Sequence, residues 1–94
     1  MNEILETENL LKTAQLGSET EKFLSTELGK HLQRQSEIDL ENGFIEFLNA
    51  DPTDTKLITR IQNQCLLAMK FKTWIDDAIN AGQLAIQELH DYDD

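Results

Sequence analysis

The densest run of side chains able to do chemistry is Asp51-Pro52-Thr53-Asp54-Thr55-Lys56, with two carboxylates and two hydroxyls beside the only proline of the chain. Spaced acids open a calcium-binding EF-hand loop, but such a loop needs glycine at its sixth position and an acidic ligand at its twelfth. Those positions hold Lys56 and Gln62. The run therefore reads as a helix cap. Asp51 suits the N-cap, Pro52 the first helical position, and Asp54 the first turn near the positive end of the helix dipole.

Other candidates are sparser. Glu27 and His31 stand four apart on one helical face and could share a proton or a metal, yet no Glu-x-x-His repeat accompanies them, and His90 sits in an acidic tail. They read as a surface pair. Cys65 is the single cysteine, which excludes an intrachain disulfide and makes a Cys/His zinc site improbable. Its neighbours Ile61 and Ala68 point to a buried structural thiol, since a reactive thiolate needs an electropositive, partly exposed setting. Asp76 and Asp77 are adjacent, so on a helix they diverge by about 100° and cannot pair. No glycine-rich phosphate loop, nucleophile elbow or basic stripe with aromatics is present. The expectation is a non-enzyme with no cofactor and no metal.

These residues sit on a pattern that is helical throughout. In the stretch from Leu16 to Glu21, Gly17 suits a left-handed helix end, and Ser18 with Glu21 makes a capping box. A short first helix is expected over residues 3–16. Leu24, Leu28 and Leu32, then Leu40, Phe44, Phe47 and Leu48, step by three and four and predict a second helix over 19–49. Gly29 and Gly43 inside it mark either a kink, a close backbone approach or a weak spot. Proline forces the residue before it out of the helical region, so this helix must stop by about Ala50. The stop followed directly by a start predicts an antiparallel αα-hairpin.

The third helix, over 52–90, has the clearest rhythm. Ile58, Ile61, Cys65, Ala68, Lys72, Ile75, Ile79, Gly82, Ile86 and Leu89 alternate steps of three and four, with Lys72 and Gly82 as the odd members. Lys72 reads best as a lysine whose ammonium snorkels to solvent. A second row, Leu67, Phe71, Trp74, Ala78, Ala81 and Ala85, runs beside it, and together the rows cover roughly 160° of the helix. One neighbour cannot cover so wide a face. Either the three helices pack tightly together or two hairpins pair into a four-helix bundle, and a homodimer or higher homo-oligomer is the expectation. Leu67, Phe71, Trp74 and Ala78 are the candidate protein-interface residues, Trp and Phe being common anchors of binding energy.

The fold class expected is thus all-α: a single domain over 1–94, a long hairpin with a short N-terminal helix, and residues 91–94 a frayed acidic tail, because carboxylates oppose the dipole at a helix C-terminus. The chain has 94 residues and a formal net charge of −10. That charge opposes direct binding to nucleic-acid phosphates and to anionic membranes, and leaves basic protein partners or nucleic-acid mimicry. No export signal and no apolar run near the roughly 20 residues of a membrane span is seen, so a cytoplasmic location is expected.

Four segments together, Leu28 to Leu32, Ala50 to Asp54, Arg60 to Gln64 and Phe71 to Ala85, resemble a group of small acidic helical proteins of tailed bacteriophages and prophages. Members share a Leu-Gly step, an Asp-Pro-x-Asp turn, a Gln-Asn pair and a Trp-containing closing helix that ends in an Ala-Gly step. The resemblance covers most of the chain from Glu8 onward. It implies a setting, the infected or lysogenic bacterial cytoplasm with possible association with the virion, and carries no activity or site. The function expected is an accessory protein acting by protein contacts in virion assembly or genome packaging. The alternative is an acidic inhibitor, a DNA mimic that blocks a host nucleic-acid-binding protein.

Overall fold

In a computed structural model, whose described residues are 2–93, the chain forms three helices: α1 (Asn2–Ser25), α2 (Glu27–Asn49) and α3 (Thr55–Asp93). The fold class is all-α. α3, 39 residues long, spans about 58 Å at 1.5 Å per residue. α1 and α2 follow one another along it and run antiparallel to it. Glu6 meets Tyr92 near one end, Gly17 meets Gly82, Ser36 meets Ala68, and Glu46 meets Arg60 near the corner. The molecule is a hairpin with one broken arm, measuring 60 × 30 × 16 Å.

The break in that arm lies elsewhere than expected. α1 runs straight through Leu16-Gly17-Ser18, and among the described residues no glycine has a positive φ. The expected stop after residue 16, with Ser18 and Glu21 as a capping box and a helix start at 19, is corrected to a break at Ser25 and Thr26. Gly17 serves the α3 contact instead of ending a helix. The half-buried Thr7, Thr13 and Thr20 each donate their hydroxyl to the carbonyl four residues back, so none brings an unsatisfied polar group to that side.

At the junction the backbone is extended at Thr26 (φ −77°, ψ 159°), whose Oγ1 accepts the Gly29 N–H at 3.0 Å. This is an N-cap bond. The Thr26 N–H in turn donates to the Phe23 carbonyl at 3.0 Å. The turn is so sharp that a Cβ on Gly29 would overlap the Phe23 carbonyl. Glycine at that position is the condition for the bend.

At the corner the stop falls as the proline requires: α2 ends at Asn49, with Ala50 as C-cap. The start differs from expectation. Asp51 is not the N-cap of α3; its Oδ1 accepts the Thr53 N–H at 2.9 Å and the Thr53 hydroxyl at 2.7 Å, closing a turn that contains Pro52. The cap is Asp54, whose Oδ1 accepts the Leu57 N–H at 3.1 Å, so α3 begins at Thr55 instead of 52. The carboxylate three residues further on wins because Asp51 is already engaged by Thr53. Replacing Asp54 by alanine is expected to cost about 1 kcal/mol of stability, read from chemical denaturation.

The Thr53 N–H and hydroxyl hold the Asp51 carboxyl below its usual range. Its contribution is therefore present above the unfolded value of about 4 and is lost as the pH falls through the lower folded value. Asp51→Asn should remove that acid dependence at the corner.

The interior is thin. Ile61, Ala68 and Ala85 are the buried apolar side chains among the described residues, accompanied by Gly17, Gly29, Gly43 and Gly82. The contact stripe of α3 does not follow the expected seam throughout. It passes from Ile61, Cys65 and Ala68 through half-buried Phe71, Ile75 and Ala78 to Gly82 and Ala85, so Lys72 and Ile86 stand exposed beside it. Both odd residues of the seam are thereby explained. Lys72 lies off the contact, and Gly82 is where two backbones touch. The helix continues through Asp91, Tyr92 and Asp93, with the Tyr92 hydroxyl donating to Glu6 at 3.3 Å. Of the tail expected to fray, Asp94 lies outside the described residues.

A candidate protein-contact surface on α3

The residues with chemical potential are spent locally or stand in water. Asp51 and Asp54 both serve the backbone. Glu27 and His31 line a shallow exposed depression with Lys30, Arg34 and Glu37. Cys65 is free and half-buried instead of fully buried, because its Sγ lies across from Gly43 and the layer is open beside it. Asp76 and Asp77 are exposed.

Gly43 and Cys65 form a matched pair, since a Cβ on Gly43 would come 2.6 Å from the sulfur. A thiol can rotate away at small cost, whereas backbone cannot. Gly43→Ala alone should thus be near neutral, and in a Cys65→Ala background it should gain about 1 kcal/mol from helix propensity. A denaturant midpoint that does not rise in the double variant would rule this account out.

The four expected interface residues divide. Leu67 (69% exposed) and Trp74 (66%) project from α3 into solvent, while Phe71 and Ala78 are half-buried at the edge of the intramolecular contact. Phe71 lies beside Leu67 in an open groove of about 540 Å³ between α2 and α3, whose α2 wall includes Leu32, Gln35, Asp39 and Glu46. On the other α2 surface Phe44, Phe47 and Leu48 are exposed as well.

Leu67 and Trp74 belong to a longer exposed stripe. At steps of three and four it comprises Arg60, Asn63, Leu67, Lys70, Trp74, Asp77, Ala81, Leu84 and Glu88, every one exposed. Sequence reading reached Leu67, Trp74 and Ala81 and missed the charged members. The available signal was charge. Residues 55–75 carry Lys56, Arg60, Lys70 and Lys72 and no acid, whereas residues 76–93 carry Asp76, Asp77, Glu88, Asp91 and Asp93 and no Lys or Arg. α3 is therefore cationic in its first half and anionic in its second, with Trp74 at its midpoint.

Among the described residues the one ion pair is Arg60–Glu46, at 3.7 Å and exposed, so Lys70 and Asp77 have no partner within them. No helix among the described residues is long and apolar enough to cross a membrane. Comparison of the chain with protein-family models, with curated proteins and with solved structures finds no match.

Proposed function

We propose that this chain is a non-enzymatic helical protein that works through protein contacts, as an accessory factor in virion assembly or genome packaging of a tailed bacteriophage. The observation that carries the contact function is unburied surface. The chain exposes 7568 Å², against about 5,500 Å² for a compact monomer of 10.8 kDa. Its radius of gyration is 18.8 Å, against about 12 Å for a compact domain of this length. Large apolar side chains make up part of that surplus, Phe44 and Leu48 on one surface of α2 and Leu67 and Trp74 along α3, and exposed apolar surface of this kind marks contact sites.

The bacteriophage setting rests on the Leu-Gly, Asp-Pro-x-Asp, Gln-Asn and Trp-helix order described above. The acidic exterior favours basic partner surfaces, with attraction that weakens as salt rises. Co-sedimentation with proheads or virions, reduced at high salt and lost in Trp74→Ala at unchanged helicity, is the expected result. Absence from both particles, together with salt-sensitive release of a DNA-binding protein from its DNA, would replace this reading with nucleic-acid mimicry.

A further inference from the structure

We infer that the partner of the exposed α3 stripe is a second copy of this chain, lying antiparallel across it with the two-fold axis at Trp74. The inference rests on the contact function proposed above and names the occupant of that surface. Three observations converge on it: area, symmetry and charge.

The surplus surface is about 2,000 Å² per chain. Obligate homodimers bury a total of roughly 2,000 to 5,000 Å², so the surplus suffices for one stable interface between two copies. A closed dimer is isologous, meaning that residue i on one copy meets j on the other and j meets i. For two antiparallel helices of Thr55–Asp93, full overlap puts residue 74 on the axis. Trp74 then faces its own counterpart, and Leu67 faces Ala81, large against small, on both sides of it.

Charge decides the direction. With the axis at Trp74, the cationic half of each α3 lies over the anionic half of the other. Arg60 comes opposite Glu88, and Lys70 comes within one position of Asp77, about 1.5 Å along the axis, each pair occurring twice. A parallel pairing would instead set cation over cation and acid over acid. Exposed ion pairs contribute little individually, so they select register and direction while the apolar members of the stripe hold the copies together. This arrangement also lets two chains of net charge −10 meet where their charges alternate in sign.

The test is the mass of the full chain by light scattering and sedimentation from about 1 to 200 micromolar, with helicity checked for each variant. A dimer mass is expected, and Trp74→Ala should raise its dissociation constant at least about tenfold. Lys70→Glu and Asp77→Lys should each weaken the dimer several-fold, and the double exchange should restore it to within about twofold. In a Cys65→Ser background, Leu67→Cys mixed with Ala81→Cys should give a disulfide-linked dimer that neither variant gives alone.

A monomer mass across the range overturns the inference, as does a dimer that the double exchange fails to restore or that links through Leu67→Cys alone. A monomer that still co-sediments with proheads overturns the second copy and leaves the virion reading standing. A dimer with the expected cross-link that binds neither proheads nor virions does the reverse.

Discussion

Gly82→Val is expected to separate α1 from α3 and to lower the stability of the chain by up to about 2 kcal/mol. The two backbones touch at this crossing. A Cβ on Gly82 would lie 2.8 Å from Gly17 Cα and 3.3 Å from the Thr13 carbonyl oxygen. One on Gly17 would lie 2.8 Å from Gly82 Cα and 2.9 Å from the Ala78 carbonyl oxygen. No side-chain rotation relieves these contacts, because the opposing atoms are main chain.

Glycine costs each helix about 1 kcal/mol relative to alanine, so a substitution at an open position would stabilise. Overpacking at a closed one typically costs 1 to 3 kcal/mol, about as much as that gain or more. The thermal midpoint should therefore fall, by up to about 15 °C at fixed protein concentration. Amide exchange should rise first in α1, while the α2–α3 end, which does not use this crossing, stays protected. A midpoint that rises, as propensity alone would dictate, would show that the two backbones are not in contact.

The second large effect is expected at Ile61, which is 2% exposed and the one large side chain fully buried among the described residues. Truncation to alanine removes three carbons and leaves a cavity in a layer with little else to collapse into it. A loss of about 2 to 4 kcal/mol follows. In a chain of this length that is a large part of the total stability, and unfolding at ordinary temperature is a realistic outcome. Leu48→Ala provides the contrast, because Leu48 is 64% exposed and its truncation should stay within about 0.5 kcal/mol in the monomer. Equal losses at the two positions would contradict the burial pattern. A loss at Leu48 that grows with protein concentration would instead reveal a contact made on association.

Much of the fold was legible because the relevant physics is local. Steps of three and four in the apolar residues specify helices wherever they lie, and proline excludes the helical conformation from the residue before it whatever surrounds it. The all-α class, the stop of α2 at Asn49 and the antiparallel corner follow from those facts alone. The exact cap was less secure. Asp51 and Asp54 are equally good N-caps by residue type, and the hydrogen bonds of Thr53 to Asp51 decided between them.

The helix break was misread for a long-range reason. Gly17, Ser18 and Glu21 together make a better local stop-and-start signal than Ser25, Thr26 and Gly29 do. Gly17 stays helical because Gly82, 65 positions away, needs it without a Cβ. Gly29 marks the true bend because a Cβ there would strike the Phe23 carbonyl. A glycine in sequence signals only that a side chain is missing. Whether the space is needed for a turn or for another backbone depends on atoms far along the chain.

The candidate contact surface shows the same division. That α3 bears a wider apolar face than one neighbour can cover was determined by sequence, since residue spacing fixes angles around a helix. Which part of that face the arm covers was a tertiary decision. The contact stripe drifts around α3, taking in Phe71, Ala78 and Ala85 and leaving Leu67, Trp74 and Leu84 outside. Sequence determined the helices, the corner and the charge reversal along α3. The tertiary structure alone decided where the arm bends and which residues remain uncovered, because both depend on how closely two backbones approach, and that distance is set by side chains distant in sequence.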